Sequence, residues 1–113
     1  DIAGVLKRCD IVAIPSHWEG FGLVAAEALA AGKPVVASNT SSLPEIVRDE
    51  QEGLLIPPRD VSALSQALIH LLHAPELRAR FGQAGAQRAL TRFSHARMIE
   101  EYEALLARFA TQR

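Results

Sequence analysis

At 113 residues, with 49% hydrophobic and 22% charged side chains, the chain has the composition of one globular domain and not of a disordered or collagen-like segment. Its formal net charge of −1 argues against a nucleic-acid partner, and its single cysteine, Cys9, forms no internal disulfide and has no zinc-site spacing. No apolar run approaches the roughly 20 residues that span a bilayer, and no basic stretch leads into a short apolar one as in a signal peptide, so the chain reads as cytoplasmic.

Charge is nevertheless uneven along the sequence. Residues 1–57 carry eight acids and four bases, whereas residues 58–113 carry five acids and eight bases, all arginines. Those arginines are scattered among Leu, Ala and Glu without interleaved aromatics, which describes solvated helical faces.

The chain begins at Asp1 inside a helical pattern over 2–9, without a methionine, and is expected to be a piece of something longer. Ile11 to Ile14, stopped by Pro15, reads as a buried strand. A helix over 22–31 follows, closed by Gly32 as a left-handed cap with Pro34 just beyond. "KPVVAS" repeats the strand pattern at 34–38, and "SSLPEIVRD" leaves room for one or two helical turns at 44–48. "EGLLIPP" at 52–58 is a third strand. Strands that are uniformly apolar and alternate with helices predict right-handed crossovers and a parallel sheet.

Beyond Pro58 the chain becomes helical. Asp60 is the expected N-cap of a helix over 61–73 with Val61, Leu64, Leu68, Leu71 and Leu72 on one stripe. Pro75 starts another helix, anchored by Leu77 and Phe81, that runs to about Leu90. Ser94 caps the last, with Met98, Tyr102, Leu105, Leu106 and Phe109 spaced by three and four. The expected fold is α/β, the second half of a Rossmann-like doubly wound parallel sheet of about three strands followed by C-terminal helices. Its innermost strand would leave an open apolar edge. That edge calls for further strands, from an upstream segment or from self-association.

The segment "EGFGLVAAEALAAG" carries the chemistry. Gly20 and Gly22 follow the first strand and open a helix, where backbone N–H groups and the helix dipole favour an anion such as a diphosphate. The carboxyl end of a parallel strand is also where open α/β sheets bind ligands. A tight turn with no ligand is the plain alternative. Gly20, Gly22 and Ala25 also spell the dinucleotide fingerprint, but five residues separate Ile14 from Gly20 and no acid ends the next strand, which weakens that reading. Glu27 is the odd residue: its neighbours three and four positions away are Leu23, Val24, Ala30 and Ala31, none able to pair with a carboxylate. Either a distant base satisfies it or it accepts hydrogen bonds from a ligand, a role that suits a ribose diol. Glu19 and Glu27 lie roughly 12 Å apart if both follow the helix direction, about the span of a sugar, a diphosphate and a ribose.

"PSHWEGFGLVAAEALAAGKPVVAS" resembles the donor-site signature of the GT-B-fold retaining glycosyltransferases, the group that includes sucrose synthases, glycogen synthases and bacterial mannosyltransferases. Its hallmark is two glutamates separated by seven residues, met here by Glu19 and Glu27. The resemblance continues through "SSLPEIV", "EGLLIPPRDVSALSQAL", "ELRARFGQAGAQRAL" and "RFSHARMIEEYEALL", so residues 1–113 look like part of the family's C-terminal nucleotide-sugar-binding domain. It implies that Glu19 lies beside the transferred sugar as a positioning and electrostatic group, that the backbone of Gly20, Phe21, Gly22 and Leu23 lines the sugar and diphosphate, and that Glu27 binds the ribose. The attacking hydroxyl would lose its proton to the departing phosphate on the same face. No D-x-D motif occurs, in keeping with a metal-independent member without a cofactor. Ser41 and Ser42 depart from the two glycines that many members carry before the Leu or Ile of this motif.

The resemblance also places the basic pair that neutralises the diphosphate, and the acceptor domain, upstream of residue 1; Lys7, Arg8 and Lys33 do not match that pair. The chain is therefore expected to be a fragment of a retaining glycosyltransferase that binds a nucleotide-diphosphate sugar donor and transfers the sugar to an acceptor hydroxyl, and alone to transfer no sugar. The parent protein is expected in the cytoplasm, with peripheral attachment to the inner membrane left open. A non-catalytic nucleotide-sugar-binding module and a GT-B-fold nucleotide-sugar epimerase are the alternatives.

Overall fold

The alternation of short apolar runs with helical segments folds into one three-stranded parallel sheet with helices on both faces. The computed structural model describes residues 2–15, 21–40 and 43–92. Within them the order is α1 (Ile2–Lys7), β1 (Val12–Ile14), α2 (Phe21–Ala30), β2 (Val35–Ser38), α3 (Leu43–Ile46), β3 (Gly53–Ile56), α4 (Val61–Leu72) and α5 (Pro75–Arg92). The expected last helix from Ser94 lies outside the described residues.

The strand order is β1-β2-β3, with Val12, Ala13 and Ile14 beside Val35, Val36 and Ala37, and Val35 to Ser38 beside Gly53 to Ile56. β2 is therefore central and buried at every position. The period of two divides its side chains between two cores. Val35 and Ala37 join Ala25, Ala26, Ala28 and Leu29 of α2, Leu43 of α3 and the following Val47. Val36 instead meets Ile56, Ala67 and Leu71 of α4, and Phe81. α5 touches both, with Phe81 in the α4-side core and Ala89 in the α2-side core.

Helix ends follow the capping chemistry of the sequence. Gly32 adopts φ +74°, and paired bonds from Gly32 N–H to Leu29 O (2.9 Å) and Lys33 N–H to Ala28 O (3.0 Å) close α2. Asp60 accepts the Ala63 N–H at 2.8 Å and starts α4. At its other end the Arg78 guanidinium donates to the Leu71 and Leu72 carbonyls.

Two expectations change. The stripe on α4 is narrower than its leucines suggested: Leu71 is buried and Leu64 and Leu68 pack against the core, but Val61 is 78% exposed and Leu72 58%. Leu72 is turned about 100° from Leu71, off the axis that Ala67 and Leu71 define. β1 is also not buried on both faces, because Ala13 is exposed. α4 covers β2 and β3, and Ala13, on the same face of β1, is left exposed.

Candidate functional site

Parallel strands send all their carboxyl ends to one edge, and the chain returns across that edge after each. α2 begins there after β1, so its first-turn N–H groups, at Phe21 and Gly22, stand at the edge where open α/β sheets place ligands. β2 ends beside it at Ser38. Asn39 donates to the Ile56 carbonyl at 2.7 Å, which ties this connection to the end of β3, and the Thr40 carbonyl accepts the Leu43 N–H at 3.3 Å at the start of α3.

α2 is tightly packed on one side only. Ala25, Ala26, Ala28 and Leu29 are buried, whereas Leu23 and Glu27 are half-buried and Ala30 and Ala31 exposed. Positions 23, 27, 30 and 31 share one stripe by helical geometry. Glu27 thus stands on the open stripe of an otherwise apolar helix, not inside a core, and its carboxylate is spared the full desolvation cost of a buried charge. Among the described residues it makes no hydrogen bond or ion pair. Of the residues expected to form the site, α2 brings together Phe21, Gly22, Leu23 and Glu27; Glu19 and Gly20 lie outside the described residues. Lys7 ends α1, Arg8 follows it on the way to the amino end of β1, and Lys33 precedes β2, so all three sit at the opposite edge of the sheet.

A second group of charges was not anticipated from the sequence. Glu52 is wholly buried and accepts from the Arg48 backbone N–H at 2.7 Å and from the Arg48 side chain at 2.9 Å and 2.5 Å. The Arg88 Nε stands 3.9 Å from the same carboxylate. Arg88 also donates from Nε to the Ile46 carbonyl at 3.0 Å and from a terminal nitrogen to the Glu45 carbonyl at 2.9 Å. The Arg48 guanidinium is raised above its ordinary pKa by its hydrogen bonds to Glu52 and by that carboxylate's charge. Because a raised base loses its stabilising contribution only as pH climbs through the raised value, this pair holds throughout the neutral range. Only the spacing of Arg48 and Glu52, four residues apart, hinted at the pair; nothing in the sequence brings in Arg88.

Among the described residues no group of three His, Cys, Asp or Glu side chains could hold a metal ion. No described helix is long and apolar enough to cross a membrane. A shallow hollow lined by His73, Pro75, Glu76, Leu77 and Arg80 opens at the α4–α5 turn. α4 starts at the carboxyl edge and runs back, so that hollow faces the opposite edge from the start of α2.

Residues 1–88 match the family described as glycosyl transferases group 1. The D-inositol 3-phosphate glycosyltransferase of Saccharomonospora viridis is 42% identical over 113 residues, which cover 96% of this chain and 26% of that protein. The C-terminal domain of a glycosyl transferase group 1 family protein, LpcC of Francisella tularensis, superposes with a TM-score of 0.74 at 33% identity, over 80% of this chain and 47% of that one. HepE of Anabaena in complex with UDP-glucose gives a TM-score of 0.80 at 27% identity, over 94% of this chain and 29% of that one. The chain spans about a quarter of the length of the curated relatives it matches.

Proposed function

The chain belongs to the glycosyl transferases group 1 family, and from that membership we propose that its α2 edge binds a nucleotide-diphosphate sugar for a retaining transfer to an acceptor hydroxyl. The observation that carries the proposal is Glu27, a half-buried carboxylate without a partner among the described residues, on the open stripe of the helix that follows β1. A vicinal diol offers two O–H donors to such an acceptor, and hydrogen bonds to a charged group are worth about 1.5–3 kcal/mol. In this assignment the ribose lies at Glu27, the diphosphate and sugar along the backbone of Gly20, Phe21, Gly22 and Leu23, and the sugar's far side beside Glu19. The structure of HepE holding UDP-glucose supports a ligand of this class.

Glu19 and Glu27 then divide the work. As the bond from the anomeric carbon to the diphosphate oxygen breaks, the acceptor oxygen takes its place on the same face and its proton passes to the departing phosphate. Glu19 positions the sugar hydroxyls and offsets positive charge at the anomeric carbon. Glu27 acts on binding alone. No metal or cofactor is assigned to this chain. The bare face at Ala13 and the open edge of β1 are assigned to further strands of the full-length protein, which also supplies the diphosphate-neutralising bases and the acceptor site.

Kinetics of the full-length protein test the division. Glu27→Ala is expected to raise the donor KM about 10- to 100-fold with a smaller change in kcat, and Glu19→Ala to lower kcat by about 10²-fold or more. The isolated 113-residue chain is expected to show no transfer. Unchanged constants in both variants would remove the assignment, and donor binding without any transfer by the full-length protein would favour a non-catalytic binding module.

A further inference from the structure

The charges around Glu52 do more than fasten the α3–β3 connection to α5. A carboxylate wholly removed from water is stable only when its lone pairs are satisfied, and here the arginine partners come from two directions. Arg48 is local and its side chain is 53% exposed, so a flexible, screened partner supplies the direct bonds. Arg88 is remote, 10% exposed and already committed to two main-chain carbonyls at the end of α3. α5 thereby grips α3 by its last turn. At its other end α3 is joined to Thr40 by the Leu43 N–H, and Thr40 and Asn39 form the connection at the carboxyl end of β2, beside the start of α2. Along its length α3 leans on α2 through Leu43, packed with Ala25 and Ala26 in one core.

We infer that Arg88 and Glu52 are positioning residues for the donor site, setting the place of α3 and, through it, of the Asn39–Thr40 connection and the Glu27-bearing helix. The inference rests on the donor-site reading of α2. A four-residue helix has too few internal bonds to hold its own place, so its position is set by what it is tied to. Removing Arg88 releases the two carbonyls at the end of α3, and removing Glu52 takes away the carboxylate 3.9 Å from the Arg88 Nε that helps hold the guanidinium against them, so either change frees α3 to shift. Displacements of about 1 Å at a ligand site are enough to change binding without touching the ligand.

The test uses Arg88→Met, Arg88→Lys, Glu52→Gln and, as a reference, Glu27→Ala in the full-length protein, with donor KM, acceptor KM, kcat and the unfolding midpoint measured for each. Arg88→Met and Glu52→Gln are expected to raise the donor KM about tenfold and leave the acceptor KM and kcat within about threefold. Arg88→Lys keeps the charge and one donor direction, and is expected to recover most of the loss. If the Met variant does not fold, Glu52→Gln carries the test, with a donor KM raised at least about threefold. A donor KM within twofold of the parent in Glu52→Gln and in any folded Arg88→Met, with a lowered unfolding midpoint, overturns the inference and leaves a structural role. Equal rises in donor and acceptor KM, which mark general loosening, overturn it too. If Glu27→Ala raises the donor KM while the cluster variants do not, only this inference falls; if Glu27→Ala is also without effect, the donor-site reading falls with it.

Discussion

Glu27 and Glu52 are both carboxylates at least partly withdrawn from water, and the protein treats them in opposite ways. Glu52 is sealed from water and given an arginine fork, while Glu27 is left half-open with no side chain turned to it among the described residues. Glu27 was legible in the sequence because an acid with only Leu, Val and Ala at helical contact distance is a local anomaly. Glu52 was not, because Arg88, one of its partners, lies 36 positions away and no local pattern encodes that meeting. Among the described residues two non-glycine positions, Glu50 and Arg59, hold φ of +60°. A side chain in the left-handed region costs about 1–2 kcal/mol, part of which glycine returns as unfolded-state entropy. Arg59→Gly should therefore raise stability by about 0.5–1 kcal/mol, read as a higher urea midpoint at constant m; a lower midpoint would mean that the Arg59 side chain has a stabilising contact.

Elements were read well where their boundaries carry chemistry. Gly32, Asp60 and Pro75 mark helix ends in the sequence and helix ends in the structure, since each supplies a backbone conformation or a cap that its neighbours cannot. Faces were read less well. The leucine-rich α4 invited a broad apolar stripe, but the face a helix buries is decided by what lies opposite, and the small Ala67 rather than Val61 meets the sheet. The contact of α2 with α5 was also hidden, because it depends on missing side chains. A Cβ added at Gly82 would overlap the Gly32 carbonyl, which is backbone and cannot turn aside. One added at Gly85 would come within 2.9 Å of the Leu29 Cδ2, the movable tip of a side chain. Gly82→Ala should thus destabilise by about 1–3 kcal/mol and Gly85→Ala by clearly less, the latter helped by the helix propensity of alanine. Equal losses in chemical denaturation would show that α5 can slide off the α2 cap without cost.

At the scale of the whole molecule, parallel strands, central β2 and helices on both faces follow from the alternation of apolar runs, and the sheet order β1-β2-β3 sets the α2 edge and the end of β2 side by side. The sequence motif named the edge before the fold did, because glycines and paired glutamates are chemistry written in one short segment. What the segment could not convey is the support behind it: α3 held at one end by Thr40 and at the other by Arg88. The central claim is that this edge takes the nucleotide part of a sugar donor through Glu27. Calorimetric titration of the full-length protein with uridine and guanosine diphosphates, compared with Glu27→Ala, addresses it most directly. At least one of the two is expected to bind, and the variant to weaken it by about tenfold or more, with its unfolding midpoint unchanged because Glu27 has no partner to lose among the described residues. Equal affinity in the two proteins, or a midpoint that falls along with the affinity, would contradict it.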